Sequence, residues 1–408
     1  MRAKRALEDK PTPVKMPEMR SNREISNAAA RLAGAARIVV KVGSALLIGE
    51  TGALRRERLA AIAGDMAALV ASGREIVLVT SGAVAVGRHR LGFSGKLRIE
   101  EKQAAAAAGQ AQLIEAWQEA FTPHGLICAQ ILVTLDDAEN RRRYLNARAT
   151  ISALIARRAI PVINENDTVA TSEIRYGDND RLSAHAAQMA DADLLILLSD
   201  IDGLYTADPR RDAGAAHIPL VNDITPEIEG MAGAANAAAG VGSGGMATKI
   251  AAAKIATASG CAVIIADGGA PSPLAAIAEG ARATLFEPHT TPDRARRAWI
   301  SGRLKPSGAV IVDAGAAEAL RRGASLLPAG IRRLEGDFRR GDAVSVLDEE
   351  GGVIGQGLIG YDVEEARRIA GRKSEEIESL LGYRRSAAVI HRDDLAIAGR
   401  GKDKKAEE

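Results

Sequence analysis

Residues 240–267 read GVGSGGMATKIAAAKIATASGCAVIIAD and place a glycine-rich loop, a helical pattern and an apolar run in direct succession. Glycine has no β-carbon, so the backbone N–H groups of such a loop can approach a phosphate closely at the start of a helix. The apolar run from Ala262 to Ala266 has the length of a buried strand. This stretch predicts either a phosphate-binding loop or a flexible connection, within a fold that alternates helices and strands.

The glycine-rich loop also fits a dinucleotide fingerprint, because Gly240, Gly242 and Gly245 match GxGxxG and Asp267 follows downstream. That fingerprint requires a strand directly before the first glycine, whereas residues 231–239 form a small-residue segment, MAGAANAAA. The Walker pattern GxxxxGK[ST] does not occur in the sequence. We therefore set both of these signatures aside.

The composition favours a protein with a small-molecule substrate. The chain has 408 residues, of which 47% are hydrophobic and 26% charged, enough for two or three domains. A formal net charge of +2 gives no support for a nucleic-acid or membrane surface. The two cysteines, Cys128 and Cys261, lie in apolar runs and are predicted to be reduced, structural thiols. No apolar stretch reaches the roughly 20 residues that span a bilayer, and no signal peptide is recognisable, so we expect a cytoplasmic protein.

Short apolar runs alternate with helical patterns over the first 300 residues. The apolar runs are 38–42, 76–80, 126–133, 160–163, 194–198 and 262–266, and the helical patterns include 54–70, 103–120 and 143–157. Continuous apolar runs between amphipathic helices predict an α/β fold, an open and mostly parallel sheet sandwiched by helices. Ligands bind such sheets at the carboxyl ends of the strands, so the residues that follow each run are candidates for function.

The composition changes near Ser301 and suggests a second unit. Residues 36–300 are predicted to form the α/β domain, and residues 305–390 a small β-rich domain with one short helix, Glu364 to Ala370. Residues 1–35 lack an apolar period and are expected to be a disordered extension. Residues 399–408 are expected to be a charged tail.

A lysine and several small polar residues lie at the ends of the first two apolar runs or directly after them. Lys41 lies within the first apolar run and is followed by Gly43 and Ser44, and the second run ends in Thr80, Ser81 and Gly82. A buried lysine needs an anionic partner, because an unpaired ammonium group is costly to bury. That partner is either a carboxylate of the core or a phosphate, and the adjacent glycine and serine favour phosphate.

Acidic and amide residues cluster after the fourth strand, as NEND at 164–167 and GDND at 177–180. Such clusters are suited to Ca²⁺ or Mg²⁺, or to the amino and carboxylate groups of a substrate, or they are ordinary turn residues. Two dense clusters beside strand ends favour a substrate site. After the fifth strand, Ser199 and Asp200 begin a polar turn that is suited to a nucleotide.

Two lysines, Lys41 and Lys249, are predicted to converge on a transferred phosphate. Phosphoryl transfer depends mainly on positioning and on electrostatic stabilisation, which paired lysines supply. A carboxylate acceptor with a pKa of about 4.3 is already ionised at pH 7 and needs no general base. If the acceptor is a carboxylate, the scarcity of candidate general bases in these clusters agrees with phosphoryl transfer.

Several segments, in this order, closely resemble the amino acid kinase family, and within it the members that phosphorylate glutamate. They are IVVKVGS, VTSGAVAVG, LNAR, PVINENDTVAT, YGDNDRLSA, GLYTADPR and GSGGMATK. SLLPAGI, GDFRRGD, RRIAGRKSEEIESLLGY and AVIHRDDL resemble the PUA domain of bacterial members. The resemblance covers about residues 36–395 and implies ATP-dependent phosphorylation of the side-chain carboxylate of L-glutamate, which yields L-glutamyl 5-phosphate for proline biosynthesis.

The resemblance also implies roles for individual residues. Lys41 and Lys249 would stabilise the transferred phosphoryl group, and Asp180 would orient both lysines. The residues implied to bind glutamate are Ser81, Gly82, Asn164, Asp167, Asp178 and Asn179. Those implied to bind ATP are Lys41, Ser44, Ser199, Asp200, Ser243, Gly244, Gly245, Met246, Ala247, Thr248 and Lys249. Mg²⁺ would bridge the phosphates of ATP, and no protein ligand of the metal is assigned. Ser199 and Ser243 stand where the family often has threonine, and both retain the hydroxyl group.

The family further implies partners. These are proline as a feedback inhibitor near residues 165–175, a homo-oligomer that is a dimer or tetramer, and a separate glutamyl phosphate reductase.

One alternative function is RNA binding through the PUA-like domain. Residues 305–385 contain 13 Lys and Arg against 14 Asp and Glu, which lacks the basic footprint of an RNA-binding surface. Another alternative is a kinase for a different acidic amino acid.

Overall fold

The computed structural model describes residues 26–49, 52–169, 178–236, 245–383 and 386–398. Within these ranges two larger sheets and a short two-stranded one are formed. None of the helices in these ranges combines the length and the apolar character needed to cross a bilayer.

The first sheet has eight strands and carries the candidate site. The strands of this part of the chain are β1 Arg37–Val42, β2 Glu75–Thr80, β3 Cys128–Val133, β4 Ile160–Glu165, β5 Leu194–Ser199, β6 Leu204–Tyr205, β7 His217–Ile218, β8 Leu220–Val221, β9 Ala262–Asp267 and β10 Ala283–Phe286. The order in the large sheet is β3-β4-β2-β1-β5-β9-β10-β8, while β6 and β7 form the small hairpin sheet. Strands β3, β4, β2, β1, β5 and β9 are parallel, and β10 runs antiparallel to β9.

Helices cover both faces of this sheet. They are α1 Asn27–Gly34, α2 Ser44–Leu47, α3 Arg56–Ala71, α4 Ala83–Arg90, α5 Ile99–Phe121, α6 Leu135–Glu139, α7 Arg141–Ala156, α8 Asp178–Ala190, α9 Pro226–Asn236, α10 Met246–Ala258, α11 Pro273–Ala278 and α12 Pro292–Arg303. Alternate residues of one strand enter two separate cores, so Ile38 and Val40 pack in one and Val39 in the other. Because both faces are covered, a strand such as β1 must be apolar throughout, and the predicted α/β sandwich is confirmed.

The second sheet belongs to a separate, strand-rich unit. Its elements are β11 Gly308–Val312, α13 Ala314–Arg321, β12 Ile331–Gly336, β13 Ala343–Leu347, β14 Val353–Leu358, α14 Val363–Ile369, α15 Ile377–Leu381 and β15 Leu395–Ile397. The strand order is β12-β11-β13-β14-β15, and this sheet has its own apolar core around Phe338 and Tyr361. Strand β15 pairs with β14 and extends the unit beyond residue 390, where the sequence analysis ended it.

Helix α1 corrects the expected extension. Residues 1–35 were predicted to be a disordered segment, but Ser26 caps a helix by accepting a hydrogen bond from the N–H of Ala29 at 3.2 Å. Ala28, Ala29 and Leu32 are buried, and the helix packs against α11 and β10. Alanine is the strongest helix former, and its small side chain permits close packing, so three apolar positions suffice here. The rest of the predicted extension and the predicted tail at 399–408 lie outside the described residues.

An ionic network joins the two units. Arg148 on α7 bonds Asp191 at 2.7 Å and also Asp394, which precedes β15, at 2.8 Å. Arg296 on α12 bonds Asp191 at 2.6 Å. Beside this network, Ile300 packs against apolar residues of the second sheet. The second unit is therefore held against helices α7 and α12.

Candidate active site

One buried carboxylate joins the two predicted lysines. Asp180 lies in the first turn of α8 with a fully buried side chain. The Nζ of Lys41, from β1, is 2.6 Å from Asp180 Oδ1, and the Nζ of Lys249, from α10, is 3.4 Å from Asp180 Oδ2. Thr248 donates a hydrogen bond of 2.7 Å to the same Oδ2. The first strand and two helices that are distant in sequence thus meet at one group.

This contact shows which group pairs with Lys41 in the structure. Of the two partners that the sequence allowed, the core carboxylate is present, and a phosphate partner stays a prediction. Asp180 pairs with two ammonium groups, so the cluster keeps one net positive charge while all three groups are ionised. A buried excess of positive charge attracts an anion.

The environment shifts two of these pKa values. Burial alone would raise the pKa of Asp180, but Lys41, Lys249 and the hydrogen bond from Thr248 together hold it below its ordinary value. Burial lowers the pKa of Lys249, against the opposing effect of Asp180. Asp180 therefore stays ionised at neutral pH and keeps both lysines in place.

The N-terminus of α10 lies beside this cluster. Gly245 precedes the helix in an extended conformation and provides no side-chain cap. The first N–H groups of a helix have no partner within the helix, so those of Met246 and Ala247 are suited to an anion. Thr248 Oγ1 bonds Gly245 O at 2.8 Å as well as Asp180, which fixes the first turn. Ser243 and Gly244, which were also predicted to bind ATP, lie outside the described residues.

A relay of amides extends from the neighbour of Asp180. Asn179 Nδ2 donates to Thr80 O at 3.1 Å, to Ser81 Oγ at 2.7 Å and to Asn164 Oδ1 at 3.1 Å. Asn164, itself almost fully buried, donates in turn through Nδ2 to Gln110 Oε1 at 2.8 Å. The structure therefore brings together three of the predicted glutamate-binding residues and adds Gln110, which the sequence analysis missed.

Two glycines shape the strand ends around the relay. Gly82 follows Ser81 with a φ of +116°, a left-handed conformation that favours glycine, and caps α4. At Gly43 an added Cβ would lie 3.5 Å from Lys41 Nζ, an ordinary van der Waals distance, so Gly43 lies directly next to the ammonium group. Gly43 is followed at once by Ser44, the first residue of the short helix α2.

A cavity of about 270 Å³ opens next to the relay. Asp167, another predicted glutamate-binding residue, lines it together with Gln110, Glu165, Asn166 and Thr168. The backbone of Asp178 begins α8, but its side chain lies outside the described residues. The cavity thus combines carboxylate and amide groups, which together can bind an amino acid.

The predicted nucleotide residues after β5 form a second polar group. Ser199 is buried and donates through Oγ to Asp200 Oδ1 at 3.1 Å, and Arg210 Nη2 is 2.8 Å from Asp200 Oδ2. Burial would raise the pKa of Asp200, but the hydrogen bonds from Arg210 and Ser199 hold it below its ordinary value. Arg210 was not among the site residues predicted from the sequence.

The described carboxylates do not form a metal cage. Among the residues that the structure describes, no three His, Cys, Asp or Glu side chains are grouped so that they could hold a metal ion. Asp180 is engaged by two lysines and Thr248, and Asp200 by Arg210. This donor set fits a divalent cation that is carried on phosphate groups, because Mg²⁺ commonly binds through substrate phosphates with only one or two carboxylates.

The fold and this site together define the class. The model of the amino acid kinase family matches residues 36–267, and that of the PUA domain matches residues 308–381. The first match covers more than half of the chain, so the chain belongs to the amino acid kinase family. It is a phosphotransferase, and the strand-rich unit is a PUA domain.

The more specific likeness is to glutamate 5-kinases. The chain is 61% identical over 366 residues to "Glutamate 5-kinase" of Caulobacter vibrioides (strain NA1000 / CB15N), covering 89% of this chain and 97% of the relative. It is 55% identical over 369 residues to "Glutamate 5-kinase" of Paramagnetospirillum magneticum, covering 90% and 99%. Among solved structures, a UMP kinase from Bacillus anthracis matches at 14% identity with a TM-score of 0.43, over 63% of this chain and 98% of that one.

Proposed function

We propose that this protein transfers the γ-phosphoryl group of ATP to the side-chain carboxylate of L-glutamate, yielding L-glutamyl 5-phosphate in the first step of proline biosynthesis. The observation that carries the proposal is the pairing of two buried lysines on Asp180, which the amide relay from Asn179 connects to a cavity lined by Gln110. The names of relatives with 55 to 61% identity support the same reaction.

The lysine cluster suits the chemical step. A side-chain carboxylate oxygen of glutamate forms the new bond to the γ-phosphorus while the bond to the ADP oxygen breaks, and ADP leaves. No proton is transferred, because the carboxylate is already ionised at pH 7. Lys41 and Lys249 neutralise charge on the phosphoryl oxygens, and Asp180 fixes where the two ammonium groups lie. Positioning and charge stabilisation of this kind account for most catalysis of phosphoryl transfer.

The relay and the cavity suit the acceptor. We assign Ser81, Gly82, Asn164 and Asn179 to the side of glutamate nearer the lysines. Asp167 lines the cavity and is assigned to the ammonium group of the substrate, because a carboxylate attracts that charge. Asp178 is assigned to the same substrate from sequence alone.

The N-terminus of α10 and the turn after β5 suit ATP. Gly245, Met246, Ala247 and Thr248 would hold phosphate oxygens through the start of the helix, and Ser44, Ser199 and Asp200 would complete the site, with Ser243 and Gly244 assigned from sequence. Mg²⁺, bound to the phosphates, would neutralise part of their charge. Arg210 pairs with Asp200 at this turn.

The remaining partners follow from the product and the family. An acyl phosphate reacts with water, so a reductase that consumes it promptly is expected. Proline, a smaller amino acid, would compete at the cavity lined by Glu165 to Thr168, while residues 170–175 of the predicted inhibitor region lie outside the described ranges. A homo-oligomer and a cytoplasmic location stay predictions.

The test is formation of a hydroxamate from ATP, Mg²⁺ and hydroxylamine with L-glutamate, L-aspartate or N-acetyl-L-glutamate as acceptor. We expect product with glutamate alone and suppression by proline. Lys249→Met should lower turnover at least a hundredfold. Lys254→Met is the matched control, because Lys254 lies on the same helix with an exposed side chain that pairs with Glu229. Product from another acceptor would reassign the substrate, and equal activity of the two variants would refute the role of Lys249.

A further inference from the structure

The amide relay leaves two buried polar atoms without a partner. Gln110 Nε2 and Asn179 Oδ1 are shielded from solvent and have no hydrogen-bond partner among the residues that the structure describes. Burying an unsatisfied donor or acceptor is unfavourable, so native proteins rarely retain one without a use. The two atoms lie on the first and last amides of a relay whose middle member is Asn164.

The orientation of the relay follows from one backbone carbonyl. Thr80 O can only accept a hydrogen bond, so the side-chain atom of Asn179 that faces it must be the nitrogen. That nitrogen also faces Asn164, which must present its oxygen, and the nitrogen of Asn164 then faces the oxygen of Gln110. The amide assignment is therefore fixed at each step. Gln110 is left with an NH₂ group whose hydrogens point away from the relay.

The backbone holds Gln110 firmly in this position. Helices α4 and α5 cross in close contact, since a Cβ at Gly109 would lie 2.0 Å from Ala83 O and one at Gly87 would lie 1.7 Å from Ala105 O. Ala83 begins α4 immediately after Ser81 and Gly82, so the position of Gln110 is tied to that strand end. Gln110 also lines the cavity next to Asp167.

We propose that Gln110 is a substrate-binding residue whose Nε2 donates a hydrogen bond to the main-chain carboxylate of the amino acid acceptor. This inference rests on the proposed function and names the group that recognises one end of the substrate. The relay begins at Asn179, next to Asp180 and the lysines, and ends at Gln110, two amides farther away. The side-chain carboxylate of the acceptor lies at the lysine end and the main-chain carboxylate at the Gln110 end. Asp167, in the same cavity, takes the ammonium group.

The variant Q110E tests this proposal with little disturbance. It retains the oxygen that accepts from Asn164 Nδ2 and replaces only the NH₂ group by a second, negatively charged oxygen. We expect the KM for L-glutamate to rise about 10- to 100-fold, since a hydrogen bond to a charged group is lost and two carboxylates then face each other. Turnover at saturating glutamate should change little, because the lysine cluster is untouched.

A modified acceptor sharpens the test. The α-amide of L-glutamate keeps the side-chain carboxylate but carries a carboxamide at the main-chain end, and its N–H can donate to the new carboxylate. Q110E should therefore shift the ratio of kcat/KM for the α-amide to that for glutamate by at least tenfold toward the α-amide. This ratio is measured within one preparation and does not depend on the folded fraction. Gln112→Glu, on the same helix but outside the cavity lining, is the matched control and should leave the ratio unchanged.

Calorimetric titration of glutamate without ATP separates this inference from the proposed function. If the wild type binds glutamate but makes no hydroxamate, the proposed function fails, and weaker binding by Q110E still supports the role of Gln110. If the wild type is active and Q110E keeps both the KM and the acceptor ratio, the inference is overturned while the proposed function stands. A wild type that neither binds nor phosphorylates glutamate overturns both. If Q110E does not fold, Gln110→Met is used in its place. Its KM for glutamate should rise about tenfold, and an unchanged KM would overturn the inference.

Discussion

Replacing Asp180 by asparagine removes the charge that holds the two lysines together. Asp180 is fully buried, and both lysine side chains are more than nine-tenths buried, so the variant leaves two ammonium groups close together without a carboxylate. Removing one partner of a buried ion pair destabilises a protein by about 3–5 kcal/mol. Burial already lowers the pKa of Lys249, so loss of its proton should relieve part of the repulsion. We therefore expect the destabilisation of Asp180→Asn to lie near the lower end of this range.

The effect is measured by thermal unfolding and by turnover. At about 2–4 °C for each kcal/mol, the Tm of the kinase domain should fall by roughly 6–12 °C. Turnover should fall at least a hundredfold, because the lysines lose their fixed positions. Inorganic phosphate should raise the Tm of Asp180→Asn more than that of the wild type, since the anion replaces the missing charge.

The control is Asp223→Asn, which removes an exposed carboxylate paired with His289 and should change neither quantity measurably. An Asp180→Asn variant with unchanged Tm and turnover would refute the reasoning. A variant that phosphate does not stabilise beyond the wild type would show that the lysines do not face an anion site.

Three further predictions concern the acceptor, pH and the domain contact. Asp167→Ala should raise the KM for glutamate about tenfold or more with turnover retained, and steady-state kinetics that show the reverse would remove Asp167 from the substrate site. The pKa of Asp180 is held below its ordinary value of 3.8, so the stability it contributes is fully present above that value and is lost as the pH falls through the folded pKa. The difference in Tm between wild type and Asp180→Asn should thus shrink as the pH falls below about 4, and a difference that grows there would contradict this sign. Asp394→Asn weakens the ion pair with Arg148 and should lower the free energy of unfolding by about 2 kcal/mol. The two domains should then unfold in separate transitions in calorimetry. A single unchanged transition would show that the network does not couple them.

The sheet was largely predictable because covering both faces forces its strands to be apolar. The runs at 38–42, 194–198 and 262–266 correspond to β1, β5 and β9 within one residue at each end. The helical patterns at 54–70 and 143–157 likewise match α3 and α7 within two residues at each end. These elements are set by local periodicity, which a single sequence carries.

Features that depend on distant partners were not predictable. Helix α1 has only a short apolar pattern and is fixed by packing against α11 and β10, which follow about 240 residues later. The antiparallel direction of β10 is set by pairing and has no signature in the short run ATLF.

The same limit explains the missed residue of the site. Gln110 is uncharged and lies in an alanine-rich helix, so its type and spacing give no signal. Its significance comes from Asn164, 54 residues away, and from the carbonyl of Thr80 that orients the relay. Lys41 was found because a lysine within an apolar run must have an anionic partner, and Lys249 because it closes a glycine-rich loop, whereas the role of Asp180 was implied by the family resemblance.

The most direct test of the central claim follows one oxygen atom. L-Glutamate labelled with ¹⁸O in the side-chain carboxylate is incubated with ATP, Mg²⁺ and the protein, and the acyl phosphate is trapped with hydroxylamine. Hydroxylamine attacks the acyl carbon, so the released phosphate keeps the bridging oxygen that came from glutamate. The account predicts one ¹⁸O atom in that phosphate, seen as an isotope shift by ³¹P NMR. Phosphate without ¹⁸O would mean that the γ-phosphoryl group goes to water or to another acceptor, and the assignment of glutamate as the phosphoryl acceptor would be wrong.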